Sequence, residues 1–149
     1  MPHPTSTAVV TSCAHCGTGN RIPETRLSEG PKCGRCGRPV FSGKPIELNA
    51  ETFDRVTGGD LPVVVDFWAP WCGPCRTMAP EFERATASLE PRIRTARLNT
   101  EDHRMIGARL AIRSIPTMVL FRQGRELARH SGAVPAAEII RWVTTANNT

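Results

Sequence analysis

All six cysteines of this 149-residue chain stand in Cys-x-x-Cys pairs: Cys13 and Cys16 in "CAHC", Cys33 and Cys36 in "CGRC", Cys72 and Cys75 in "CGPC". At that spacing two sulfurs can hold a metal, close a static disulfide or exchange electrons. The first two pairs combine as Cys13-x2-Cys16-x16-Cys33-x2-Cys36, the spacing of a four-cysteine zinc ribbon. Gly17 and Gly37 follow the second cysteine of each pair and Gly34 lies within the second, so the backbone can turn and aim its amides at the sulfurs. Four thiolates close a tetrahedral shell with no open position, which favours a structural metal over a catalytic one. Two redox pairs, a disulfide framework and an iron–sulfur centre are the alternatives. His3 and His15 are spare donors, and His15 reads as a solvated turn residue.

Cys72 and Cys75 are left without a matching pair. The apolar run "VVVDFW" ends just before them and a helical pattern starts at them. Cys72 is thus expected at a helix N-terminus, where free amides and the dipole stabilise a thiolate. Cys75, one turn further in, is expected to be shielded and able to resolve a mixed disulfide. Pro74 suits the first turn, where no amide is needed. Trp71 is a candidate cover for the site, and Trp68 reads as strand-end packing. Asp66 interrupts an apolar strand, where a carboxylate is costly unless paired or protonated. It is either a proton relay for Cys75 or an inert strand-edge acid; its place six residues before Cys72 favours the relay. Pro116 precedes the apolar run "TMVLF", as at an unpaired edge beside a site, and a cis Ile115–Pro116 bond would press a short loop toward the cysteines.

The elements that must position these residues divide near residue 43. Residues 1–43 are rich in Gly, Pro, Arg and Cys, and a piece of that size cannot bury a core unaided. Bound metal is expected to supply its folding energy, on the order of 10 kcal/mol. Residues 44–149 alternate strand and helix patterns in the order β-α-β-α-β-α-β-β-α. The strands are "PIELN", "LPVVVDFWA", "IRTARLN", "TMVLF" and "RELARHSG". The helices are "AETFDRVT" after Asn49 as cap, the segment after "CGPC", "EDHRMIGARLAI" and the stretch after Pro135. Met78, Phe82, Ala85 and Leu89 make one apolar face of the second helix, and Pro80 is expected to kink it. Ala136, Ile139, Ile140 and Val143 line the last one. This order implies an α/β fold, a mixed central sheet flanked by helices.

Charge is uneven: residues 1–44 carry a net +4 and residues 45–149 a net +1. Cations around a zinc tetrathiolate of charge −2 explain the excess better than nucleic acid, for which no motif is present. The start "MPHPTSTAVVTSC" lacks the pattern of a secretory signal and no run approaches a membrane span. A cytoplasmic setting is therefore expected, where Cys-x-x-Cys reads as metal site or redox catalyst.

"VVVDFWAPWCGPCRTMAPEFE", "RLNTED" and "IRSIPTMVLFRQG" closely resemble the thioredoxin family over about residues 45–147. With "CAHC…CGRC" in front, and with "NRIPE" and "GAVP", the resemblance is to its zinc-containing bacterial subgroup, thioredoxin 2. It implies a thioredoxin fold behind a small zinc ribbon. Cys72 is then the nucleophile, Cys75 the resolving thiol and Asp66 the buried acid. Pro116 matches the cis-proline, Ile115 offers backbone to the substrate, Gly132 borders the groove, and Trp71, Gly73 and Pro74 complete the signature. The implied activity is protein-disulfide reduction that leaves a Cys72–Cys75 disulfide, with one zinc at Cys13, Cys16, Cys33 and Cys36. A separate NADPH-dependent thioredoxin reductase restores the dithiol, since no flavin or nicotinamide motif is present. The expected partners are that reductase and disulfide-bearing proteins, without nucleic acid or membrane, and the chain is expected to be a monomer.

Many thioredoxins have Lys where this chain has Arg97, and an arginine cannot release a proton near neutral pH. Arg97 would stabilise ionised Asp66 if it points inward. An exported oxidase or isomerase, and a binding role through the ribbon that needs neither Cys72 nor Cys75, are the rival functions. The zinc site is read as structural, with a redox-sensitive site as the alternative.

Overall fold

The computed structural model describes residues 7–148, so His3 lies outside the described residues. Two sheets are present. The first is a hairpin, β1 (Ala8–Ser12) paired antiparallel with β2 (Gly19–Pro23), followed by a 3-10 turn over Glu24–Glu29. The second has five strands: β3 (Ile46–Leu48), β4 (Val63–Trp68), β5 (Arg94–Asn99), β6 (Thr117–Arg122) and β7 (Arg125–Ser131). Their order is β3-β5-β4-β6-β7, parallel for β3/β5 and β5/β4, antiparallel for β4/β6 and β6/β7. Four helices connect and cover them: α1 (Phe53–Thr57), α2 (Gly73–Leu89), α3 (Arg104–Arg109) and α4 (Ala136–Asn147).

Alternation along the buried strands separates two cores. Val63, Val65 and Phe67 of β4 face α1 and α3, with Phe53, Val56 and Ile106. Val64, Met118 and Leu120 face α2 and α4, against Met78, Phe82, Ala85, Ile139 and Val143. Asp66, in step with Val64, therefore belongs to the α2 face. The expected stripe of α2 is buried, and in α4 Ile139 and Val143 are buried while Ala136 and Ile140 are half-buried; α2 runs unbroken through Pro80, which is exposed.

Three details differ from the sequence expectations. Asn49 accepts the amides of Glu51 and Thr52, each at 2.9 Å, but caps a turn that precedes α1 rather than α1 itself. α3 is shorter than its pattern, because residues 100–102 form a turn in which the Asn99 side chain accepts the amides of Glu101 and Asp102. The strand after Pro116 is interior, paired with both β4 and β7, so proline is tolerated because it precedes the ladder and not because the edge is free.

The hairpin module docks where β4 and β5 begin. Val10 exchanges backbone bonds with Asp60, through the carboxylate at 2.8 Å and the amide at 2.9 Å. Leu61 completes the small cluster of Val9, Ile22, Leu27 and Val40. Arg94, 1% exposed, reaches in from the first residue of β5. Its guanidinium donates to Thr11 Oγ1 and the Ser12 carbonyl, both at 2.7 Å, and to the Val40 carbonyl at 3.3 Å. It also stacks on Phe41 and faces Glu90 at 3.8 Å. Arg94→Met is expected to strand those acceptors and lower stability by roughly 2–4 kcal/mol in urea unfolding; an unchanged midpoint would show that the docking does not depend on this side chain.

Candidate functional site

At the metal candidate, the two Cys-x-x-Cys-Gly segments adopt the same turn. Gly17 and Gly37 have φ of 77° and 75°, and their amides bond to the carbonyls of Cys13 and Cys33 at 3.0 and 2.9 Å. Left-handed backbone at this point suits glycine best, since it has no Cβ to clash. A Cβ on Gly17 would also meet the Arg55 guanidinium at 2.8 Å. The four Sγ atoms lie within 4.8 Å of one another, with Cys13–Cys36 at 3.7 Å and Cys16–Cys33 at 3.6 Å. A tetrahedron of 2.3 Å zinc–sulfur bonds has edges of about 3.8 Å, so the donor set fits zinc.

Outer contacts favour a thiolate at Cys33, whereas burial and the neighbouring sulfurs push the Cys36 thiol up. His15 and Arg35 direct their amides at Cys13 and Cys33, at 3.3 and 3.4 Å. Asn20 donates to Cys33 Sγ at 3.4 Å while its oxygen accepts the Gly34 amide. The Cys36 amide, Asn20 and the Arg35 amide together pull the Cys33 thiol down to about 6. Cys13 and Cys33 are buried, whereas Cys16 is exposed. The exposed His15 is not part of the cluster.

At the opposite end of the sheet, β4 delivers the chain to Cys72. This cysteine caps α2: its Sγ accepts the Cys75 amide at 3.2 Å, and Pro74 stands in the first turn. Cys72 and Cys75 are joined as a disulfide with Cα atoms 5.3 Å apart, and Cys75 is fully buried behind Cys72. Ala69, Trp68 and Ile115 pack around them. The Ile115–Pro116 peptide is cis and sets the Ile115 carbonyl oxygen 3.8 Å from Cys72 Sγ. Gly132, at φ 103°, donates its amide to the Pro116 carbonyl at 2.9 Å, which ties the start of the last loop to this turn. Five to six strand residues, about 17 Å, separate this end from Arg94 and the ribbon.

Asp66 is fully buried in the interior strand β4, in register with Arg97 of β5. Arg97 does point inward. Its Nε donates to Asp66 Oδ2 at 3.2 Å, its guanidinium lies 4.2 Å above the Trp68 ring, and Glu47 stands 3.8 Å away. Asp66 Oδ1 has no hydrogen-bond partner. Burial pushes the Asp66 carboxyl up to about 6, and Arg97 offsets only part of that. Trp71 is 66% exposed and donates to Glu101 Oε2 at 3.3 Å, whose other oxygen accepts Arg104 at 2.8 Å.

Sequence reading did not anticipate Glu101, which pins the exposed indole, or Arg94.

Comparison with known proteins bears on both ends. Residues 44–145 match the family described as Thioredoxin, and residues 12–38 match the zinc-ribbon family described as Thioredoxin 2, N-terminal. Thioredoxin C-3 of Corynebacterium nephridii is 42% identical over 132 residues, 88% of this chain and 90% of that one. The chloroplastic M-type thioredoxin of Chlamydomonas reinhardtii is 35% identical over 126 residues, covering 82% and 90%. Among solved structures, the thioredoxin of Malassezia sympodialis superposes with a TM-score of 0.63 at 30% identity, over 67% of this chain and 88% of that one. Chloroplastic thioredoxin z gives 0.64 at 25%, over 71% and 96%.

A buried acid with a raised pKa favours the folded state only while protonated. Its contribution is full below the unfolded value near 3.8 and is lost as pH rises through about 6. Asp66→Asn is thus expected to stabilise the protein at pH 8 by on the order of 2 kcal/mol, and the gain should shrink toward pH 4.5. Urea unfolding of both proteins at the two pH values checks this; an equal difference at both would show that Asp66 does not titrate in this window.

Proposed function

The chain belongs to the thioredoxin family and is a protein-disulfide oxidoreductase carrying an N-terminal zinc ribbon; within it, we propose that Cys72 is the attacking thiolate, Cys75 the resolving thiol and Asp66 the group that takes the Cys75 proton. The observation that carries this reading is the disulfide at the start of α2, with Cys72 as its cap and Cys75 buried behind. In the reduced protein the amide of Cys75 stabilises a Cys72 thiolate. That thiolate attacks one sulfur of a target disulfide, and the other leaves as a thiolate. Cys75 then gives up its proton and attacks Cys72 Sγ. The target's remaining sulfur leaves as a thiolate, and two electrons have passed to the target. Asp66 suits the proton step because its pKa of about 6 lies near neutrality and Oδ1 is bare. Arg97 holds Oδ2 and keeps its own proton.

Trp71, Gly73, Pro74, Ile115, Pro116 and Gly132 shape the surface on which the target lies. A NADPH-dependent thioredoxin reductase is the proposed source of electrons. Residues 1–43 are the proposed ribbon and residues 44–149 the redox domain. The proposed zinc is one per chain at Cys13, Cys16, Cys33 and Cys36, where bound zinc supplies a crosslink and no open coordination position. The cytoplasm is the proposed setting, because four free thiolates persist where thiols are kept reduced; no helix among the described residues is long and apolar enough to cross a membrane.

Insulin-disulfide reduction with dithiothreitol, with zinc counted on the same samples, tests the assignment. Cys72→Ser is expected to lower the rate to the uncatalysed background while one zinc per chain remains. Pre-reduced Cys75→Ser, freed of dithiothreitol before mixing, is expected to accumulate a covalent complex with the target. Activity that survives Cys72→Ser would overturn the mechanism, and zinc lost with Cys72 would mean that the six cysteines are divided differently.

A further inference from the structure

We propose that this protein selects disulfides flanked by acidic side chains, and that Arg113 makes the selection. The inference rests on the role proposed above for Cys72 and concerns which targets reach it. Two grooves open on either side of the Ile115–Pro116 turn. One, of about 350 Å³, is floored by Trp71, Ile112 and Ile115 and edged by Arg104 and Arg113. The other, of about 390 Å³, is formed by Met78, Ala133, Val134 and Pro135 with Glu81. The first is basic and the second is apolar.

The charges in the two grooves are not equally free. Arg104 is held by Glu101. Glu81 is occupied by the Ala136 amide and by Arg84. Arg113 is exposed and has no ion pair among the described residues, and no carboxylate lines its groove. The turn that carries it is fixed, because Thr117 Oγ1 donates to the Ser114 carbonyl at 2.7 Å. Arg113 is therefore an uncompensated cation held two residues from the backbone that touches Cys72. An extended target segment with its sulfur at Cys72 runs past Ile115, and its neighbouring residues on that side meet Trp71 and Arg113. An acidic side chain there is attracted and a basic one repelled.

The test uses two synthetic peptides with one intrachain disulfide each, identical except for a Glu pair or a Lys pair beside one cysteine. Pre-reduced protein is mixed with each at low salt, and single-turnover rates are followed by tryptophan fluorescence. The Glu peptide is expected to react roughly two- to five-fold faster than the Lys peptide, the range for an exposed ion pair. The ratio should approach one at high salt and in Arg113→Gln, and should invert in Arg113→Glu. Equal rates for both peptides, or a preference retained in Arg113→Glu, would overturn the selectivity and leave the redox role standing. Reduction of neither peptide would overturn both.

Discussion

Arg94 holds a positive charge at a position almost sealed from water, and its surroundings answer most of that charge, with Nε alone left without a hydrogen-bond partner. Two strong hydrogen bonds come from the end of β1, one from Val40, an aromatic face from Phe41 and a carboxylate from Glu90. All but the last come from the first 43 residues of the chain. A guanidinium moved into the interior needs such a set, since its desolvation amounts to several kcal/mol. The hairpin module, too small to bury a core of its own, takes Leu61 from the larger domain and gives acceptors in return. The two sheets thus make one molecule through a charged contact with a fixed geometry, not through a broad apolar face.

The sheet between the two sites keeps their chemistries apart. Its β4–β5 ends nearest the ribbon meet Arg94 and Asp60; its other end meets Cys72 and the Ile115–Pro116 turn. Four sulfurs at one pole have edges suited to a closed metal shell, and two at the other are bonded to each other. The residue type is the same, and position in the fold decides its use. At the redox pole the buried charges come as a pair, Asp66 and Arg97, and here too the compensation is incomplete. One carboxylate oxygen is left bare, which is the feature on which the proposed proton step rests.

Most of this was legible in the residues. Apolar runs, the Met78–Leu89 face and the cysteine spacing gave the strands of the larger sheet, the long helix and the two sulfur sites, because each rests on a local pattern, whereas the ribbon strands β1 and β2 were not anticipated. Asp66 was visible as a charge inside an apolar strand. The direction of Arg97 was not, since it depends on the parallel register that sets Arg97 beside Asp66. Arg94 was hidden for a related reason. Beside Arg97 in "IRTARLN" it reads as a solvated strand end, and only the ribbon's docking makes it the most deeply buried cation. Glu101 was quoted within a motif but carried no local sign that it would hold Trp71. Such pairings arise from tertiary geometry, which no window of sequence contains.

The contacts of Arg94 also set an order of events during synthesis. Thr11 and Ser12 leave the ribosome 83 and 82 residues ahead of it, and Val40 precedes it by 54. At roughly 5–20 residues per second, the first strand exists for about 4–17 s before its anchor is made. During that interval the hairpin has neither Arg94 nor the finished sheet to rest on. Its restraints are then local, the β1–β2 ladder and the small cluster of Val9, Ile22, Leu27 and Val40. A metal held by the proposed four-sulfur site would keep Thr11, Ser12 and Val40 arranged as a receptor awaiting its plug, 54 to 83 residues before that plug is made.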